Sequence, residues 1–159
     1  MLSIISRMHY VTESLLVGNV NDAEHPPPSV GAVLFLAAER KIEPPAGVLF
    51  ERVPLNEFSE ADPADVKRAV DWLGHHLAAH RVMVCCRAGM GRSVSVVITY
   101  LCCMKGMAYT EAVQLLKARR PGATPLPNLE ATIEKVRQLK QAGDAQDQSH
   151  DAQPQRPHT

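Results

Sequence analysis

The sequence predicts an α/β fold, a mostly parallel central sheet flanked by helices. Three observations carry the prediction. Short, continuously apolar runs recur along the chain, as strands covered on both faces require. Helical stretches with one apolar face alternate with them, which favours parallel strands joined by crossovers over hairpins. The chain has 159 residues, 45% of them hydrophobic, enough for one core and too few for two.

The elements follow in order. Leu15-Leu16-Val17 is a first strand that ends at Gly18-Asn19. His25-Pro26-Pro27-Pro28-Ser29 is a surface loop, because three prolines fit neither a helix interior nor a central strand. Ala32–Leu36 and Val48–Val53 are two more strands, and Val82-Met83-Val84 is another that runs straight into Cys85. Asp62-Pro63-Ala64-Asp65 opens a helix with a cap, a proline at the first position and an acid in the first turn. Val66, Ala69, Val70, Leu73 and Leu77 then recur at helical spacing. Ser93–Met104 is ambiguous. Its β-branched residues favour a strand, but its length without a turn signal favours an apolar helix buried in the centre of the domain, and we read it as helix. A further helix spans Thr110 to Arg119, capped by Thr110 and stopped by Pro121-Gly122. The last runs from Asn128 or Leu129 to Gln141, with Ile133, Val136 and Leu139 on one face. From Ala142 the sequence is polar without an apolar period, so 142–159 reads as a disordered tail after a domain of 1–141.

Lys plus Arg equals Asp plus Glu at 17 each. This balance argues against a nucleic-acid binder held by a basic surface and leaves a local anion site open. There is no apolar run long enough to span a membrane, and the first residues lack the charge order of a secretory signal. A cytoplasmic monomer is the expectation. The four cysteines stand as adjacent pairs, Cys85-Cys86 and Cys102-Cys103. That spacing suits neither a zinc site nor a disulfide, so reduced thiols are expected, with Cys102 and Cys103 in the core. His75, His76 and His80 read as a solvated or half-buried helix face and not as ligands.

The chemistry concentrates in Cys85-Cys86-Arg87-Ala88-Gly89-Met90-Gly91-Arg92-Ser93. A buried strand leads into a glycine-containing loop, and the loop leads into the proposed buried helix. Backbone N–H groups at such a start are unpaired within the helix and can gather round an anion, aided by the helix dipole. Gly89 and Gly91 permit the positive φ that a tight curl needs. Arg92 offers a planar fork matching two phosphate oxygens. The phosphate-binding set is therefore Arg87, Ala88, Gly89, Met90, Gly91 and Arg92. Cys86 stands at the mouth of the ring, where the field that attracts phosphate also favours thiolate, the nucleophilic form.

The loop CRAGMGRS resembles the C-x5-R-S/T signature of the protein tyrosine phosphatase superfamily, and its setting is similar to the dual-specificity phosphatases. The similarity covers roughly Met8 to Gln141. It includes the LLVGN-ND element near the start and the run YLCCMKGMAYTEAVQLLKARRP after the loop. It implies the cysteine-phosphatase fold and a phosphomonoester hydrolase acting on phosphotyrosine, phosphoserine or phosphothreonine in proteins, with no cofactor and no metal. By that resemblance Cys86 attacks phosphorus to form a phosphocysteine, Arg92 binds the equatorial oxygens, and Ser93 helps the thiolate leave.

A leaving alkoxide or phenolate needs a proton, usually from a carboxylic acid on another loop. Glu57, Glu60, Asp62 and Asp65 are within reach in sequence. Asp62 and Asp65 are better used by the helix they open, and Glu57 matches the family's acid position, where the family has aspartate. A second departure is Cys85, at a position where the family has histidine. Asn128 matches a family position that steadies the phosphate loop, and equally reads as the cap of the last helix. With Arg87 the one extra cation in the loop, a phosphoprotein is favoured over a polyphosphorylated inositol head group. A non-catalytic phosphopeptide-binding module is the main rival reading.

Overall fold

Five strands and five helices make up the computed structural model, which describes residues 8–151, the side chains of 145–151 excepted. The strands are β1 (His9–Tyr10), β2 (Leu15–Gly18), β3 (Ala32–Ala37), β4 (Leu49–Leu55) and β5 (Val82–Cys85). They form one sheet in the order β1-β2-β5-β3-β4. β2, β5, β3 and β4 are mutually parallel, and only β1 is antiparallel, against β2. β5 is the central strand. Its register sets Val84 between Val17 of β2 and Leu34 of β3, so the chain leaving Cys85 emerges in mid-sheet at the carboxyl ends of the parallel strands. In open α/β sheets that edge is where ligands bind.

Strand alternation sorts the core into two layers. Leu15, Val17, Ala32, Leu34, Val82 and Val84 face one side, and Leu16, Val33, Phe35, Met83 and Cys85 face the other. The first side carries α2 (Pro63–Leu77), α3 (Arg92–Met104), α4 (Tyr109–Arg119) and α5 (Leu129–Asp151). The second is closed by the single short helix α1 (Val20–Glu24), whose Ala23 is fully buried there, and by neighbouring loops. Both faces are covered, as expected, but very unequally.

α2 forms as the sequence predicts. Asp62 accepts a hydrogen bond from Ala64 N–H at 2.9 Å, Pro63 fills the first position, and Val66, Ala69, Val70 and Leu73 are buried. Each fully buried aliphatic side chain of this kind contributes roughly 1.5–3 kcal/mol. α3 resolves the ambiguous stretch. Thirteen residues as a strand would extend about 43 Å, but as a helix they span about 20 Å and stay within the core. Arg92 through Cys102 are all buried, which an apolar helix in the middle of a domain permits and an amphipathic one does not.

Four details depart from expectation. β1 and α1 are too short to show a period in sequence; α1 exists through a capping box in which Asn19 and Asp22 exchange hydrogen bonds with each other's backbone N–H. α4 begins at Tyr109 with Ala108 at the cap position, so Thr110 lies inside the helix and caps nothing. Leu139 is 39% exposed, off the face that buries Ile133 and Val136. α5 continues ten residues past its expected end at Gln141. Polarity does not stop a helix, and 144–151 contain no proline or glycine to do so; the rest of the expected tail, 152–159, lies outside the described residues.

Candidate active site

Between the end of β5 and the start of α3 the chain turns through Cys86 to Gly91. The carbonyls of this loop are engaged from outside it. Val20 N–H donates to Arg87 O at 3.1 Å, Thr124 N–H to Met90 O at 2.8 Å and Ser95 N–H to Gly91 O at 2.8 Å. Arg120 takes the two in between, Nη2 donating to Ala88 O at 3.2 Å and Nε to Gly89 O at 3.0 Å. In a trans peptide the N–H points opposite to the C=O, so five carbonyls held outward set five amides, those of residues 88–92, inward. Among the described residues the amides of Ala88, Met90 and Gly91 have no acceptor. Such a ring of convergent donors is an anion site.

Cys86 Sγ lies on the floor of this ring. It accepts the Gly89 N–H at 3.2 Å and stands 3.4 Å from Ser93 Oγ. Gly89 has φ +73°, and a Cβ there would come within 2.5 Å of Gly18 O. The glycine is needed both for its backbone angle and for the close approach of β2. Gly91, expected to share the positive φ, has φ −113°; its backbone is accessible to any residue, because the reversal is complete at Gly89.

Arg92 is 1% exposed, and its donors can be counted. Nη1 donates to Glu39 Oε1 at 2.5 Å and to Leu55 O at 3.0 Å; Nη2 donates to Glu39 Oε2 at 2.8 Å. Of five N–H groups, three are used. The two left, Nε–H and the second on Nη2, lie along one edge of the guanidinium, the geometry that grips two oxygens of a phosphate. The hydrogen bond to Arg92 is the main cause that pulls the Glu39 carboxyl down to about 2. Glu39 sits just beyond β3 at the carboxyl edge of the sheet, and Arg52 Nη2 holds that turn by donating to the carbonyls of Ala37, Ala38 and Arg40.

The loop opens into a cleft of about 480 Å³. Glu57 and Phe58 form one rim and Thr124 to Pro127 another, with Cys86 and Met90 between them. The structure separates the acid candidates. Glu57 lines the cleft, with Oε2 2.8 Å from Arg87 Nη2 and 3.9 Å from Arg92 Nη2. Asp62 is spent as the cap of α2, and Asp65 lies in that helix's first turn. Glu60 accepts from Asn128 Nδ2. Asn128 holds the cap position of α5 through its carbonyl, which accepts the Thr132 N–H at 3.0 Å. Its side chain, expected at the phosphate loop, instead ties the 57–60 rim to the 124–128 rim.

Support of the loop falls instead to Arg120, which stands between the end of α4 and Pro121 and carries no motif of its own in the sequence. It is 2% exposed and also bonds His9 Nδ1 at 2.7 Å. Burial, and then the Arg120 charge, hold the His9 imidazole below its ordinary range. Arg120 and Glu39 were findable only from position, one beside Pro121 and the other just past a strand end. Cys85 belongs to the opposite layer of the core from Cys86. Burial above all, then the Asp22 carboxylate and Cys86, push its thiol up, so it is an inert core thiol. No group of His, Cys, Asp or Glu among the described residues is placed to hold a metal ion, and no described helix is long and apolar enough to cross a membrane.

A cysteine and an arginine bracketing a ring of amides at the head of a central helix define a phosphate-loop domain of the protein tyrosine phosphatase class. Residues 32–141 match the model of the dual specificity phosphatase catalytic domain, and the chain belongs to that family. It is 25% identical over 123 residues, 74% of its length, to the MAP kinase phosphatase with leucine-rich repeats protein 3 of Dictyostelium discoideum. It is 44% identical over 46 residues, 29% of its length, to dual specificity protein phosphatase 1B of Arabidopsis thaliana. The matches span 14% and 28% of those two proteins. A mouse putative dual specificity phosphatase, solved in complex with zinc tungstate, superposes with a TM-score of 0.77 at 21% identity, covering 91% of this chain and 95% of that one; at that identity the likeness is one of fold.

Proposed function

We propose that the chain is a cysteine-dependent phosphomonoester hydrolase acting on phosphoproteins through a phosphocysteine intermediate. The observation that carries the reading is the outward engagement of every carbonyl from Arg87 to Gly91, which leaves the amides, the free edge of Arg92 and Cys86 Sγ converging on one point. A dianionic phosphate there has its oxygens on N–H groups and its phosphorus facing the sulfur.

The Cys86 thiolate attacks phosphorus, an S–P bond forms and the ester P–O bond breaks. Glu57 delivers a proton to the departing oxygen. Water then attacks phosphorus, giving its proton to the Glu57 carboxylate, and the S–P bond breaks. The Gly89 N–H and the Ser93 hydroxyl stabilise the sulfur as it regains its charge. Arg87 is paired with Glu57, so it is not a free cation for a second phosphate, and this favours a phosphoprotein over a polyphosphorylated head group.

Release of inorganic phosphate from an aryl phosphate tests the reading. Wild type turns the substrate over and is inhibited by tungstate, and Cys86→Ser abolishes turnover but keeps anion binding. A protein that binds tungstate and releases no phosphate is a binding module instead.

A further inference from the structure

A second cavity, of about 470 Å³, lies at the other end of α3 from the phosphate loop and shares no lining residue with the cleft above Cys86. Arg92 opens the helix at the loop; Tyr100 and Leu101 stand more than two turns further on, roughly 12 Å along the axis. There α3 meets the amino end of β2 and the carboxyl end of α2, and Leu15, Leu77, Leu101 and Met107 supply an apolar wall. The local sequence builds this corner. Lys105 caps α3, Gly106 turns the chain at φ +68°, and Met107 N–H comes back to Leu101 O at 3.0 Å. A Cβ at Gly106 would meet nothing within 4 Å, so the glycine serves the backbone angle, and that turn brings Lys105 and Met107 to the same cavity.

Tyr100 is the group that this corner leaves unsatisfied. It is 6% exposed, yet no described residue donates to its hydroxyl or accepts from it. A buried tyrosine ordinarily finds such a partner. Its neighbours on the same helix do: Ser95 Oγ accepts the Leu126 N–H at 2.8 Å, and Thr99 Oγ1 donates to Ser95 O at 2.8 Å. The Tyr100 oxygen is not sealed in by protein, and the cavity is what it opens onto. The charge there is one-sided. Lys105 is exposed at the cavity with no carboxylate within ion-pair reach among the described residues, and no Asp or Glu lines the walls. The remaining polar lining, Thr12 and Ser14, is uncharged. α2 and α3 both end here, but their negative poles are blunted. Leu101 O accepts from Lys105 and Met107 N–H, and His76 O accepts from Ala79 and His80 N–H. A helix pole also fades beyond its last turn, so the full charge of Lys105 decides the sign.

We infer that this cavity binds a small amphipathic carboxylate. Its apolar body lies against the leucines and Met107, and its carboxylate is held between the Tyr100 hydroxyl and the Lys105 ammonium. The volume is in the range of small-molecule sites, which pair an apolar lining with a few convergent polar groups. One hydroxyl donor and one ammonium suit a single negative charge with two oxygens. A dianionic phosphate would bring a second charge that nothing in the walls meets. The two sites share no residue, so binding here stands or falls apart from the phosphatase reading.

The test titrates the full chain by calorimetry with octanoate, octan-1-ol and octylamine, each with and without saturating tungstate. Octanoate is expected to bind one to one, unaffected by tungstate, and at least tenfold tighter than the alcohol or the amine. Tyr100→Phe keeps the ring in the core and loses the donor; Lys105→Met removes the charge from an exposed side chain. Both variants are expected to fold, with melting temperatures close to wild type. Each weakens octanoate by about tenfold, as the loss of a hydrogen bond to a charged group does, and Lys105→Met leaves octan-1-ol within about twofold. Octanoate that fails to bind, that tungstate displaces, that octylamine or octan-1-ol matches, or that both variants hold as tightly as wild type overturns the site.

Discussion

Arg92 and Glu39 meet fork to fork, Nη1 to Oε1 at 2.5 Å and Nη2 to Oε2 at 2.8 Å, across 53 positions of sequence. The pairing orients the guanidinium as well as neutralising it. With Leu55 O on the remaining Nη1 hydrogen, Arg92 cannot rotate without breaking three bonds, and its free edge stays aimed at the loop.

Glu39→Gln tests that pairing through pH. Glu39 has its folded-state value near 2 against an ordinary 4.5, so it contributes stability that is fully present above 4.5 and is lost as pH falls from there towards 2. The side chain is 41% exposed, and solvent screening keeps the contribution to about 1 kcal/mol or less. Urea unfolding of wild type should show this loss below pH 4.5, and Glu39→Gln, which cannot titrate, should not. The variant should also lose about tenfold to a hundredfold in kcat/KM at neutral pH, because Arg92 is no longer held in register. Parallel stability curves for the two proteins would remove Glu39 from this role.

Arg120→Lys asks whether the loop is held open from behind. One ammonium cannot reach Gly89 O, Ala88 O and His9 Nδ1 together, as the guanidinium does. Left without donors, the two carbonyls are free to turn inward, and each peptide that flips takes an N–H out of the anion ring. Tungstate affinity should fall about tenfold or more, with the loss of kcat/KM at least as large. If tungstate binds as tightly as to wild type while only thermal stability drops, Arg120 is packing and nothing more.

The parts of this site that could be read in sequence are those whose partners are close by in the chain. Cys86, Gly89 and Arg92 lie within one strand–loop–helix unit, and their chemistry follows from where that unit must place its backbone. α2 and α3 were legible for a similar reason, since a cap and an apolar period are local. Glu39 and Arg120 were not, because each acts on a segment some 30 to 50 residues away, and a surface-type charge next to a strand end or a proline looks the same whether or not it turns inward. Asn128 failed differently. Its position after Pro127 is a cap position, as Thr132 N–H to Asn128 O at 3.0 Å shows, but the residue has φ +54° and its side chain meets Glu60 and not the phosphate loop, and backbone angle is not visible in the residue type. Gly91 shows the converse: a glycine permits positive φ and does not require it.

Glu57 is one methylene longer than the aspartate its position resembles, and it is paired with Arg87 at 2.8 Å. Two roles fit that geometry, a proton donor held at the cleft wall or a plain ion pair that fixes the loop's outer residue, and leaving-group dependence distinguishes them. A good leaving group departs as its anion and needs no proton; a tyrosine phenolate or an alkoxide does. Glu57→Gln keeps a hydrogen-bond acceptor for Arg87 and removes the transferable proton. If Glu57 is the acid, kcat/KM for a phosphotyrosine peptide falls by about a hundredfold or more, within the common range for loss of a general acid, while that for a dinitrophenyl phosphate changes by less than about fivefold. Arg87→Met breaks the pair from the other side and leaves the carboxyl in place. Under the acid reading it therefore produces a smaller loss, with much weaker dependence on the leaving group. Equal losses for both substrates in Glu57→Gln, matched by Arg87→Met, would assign the pair to holding the loop and leave the proton to come from solvent.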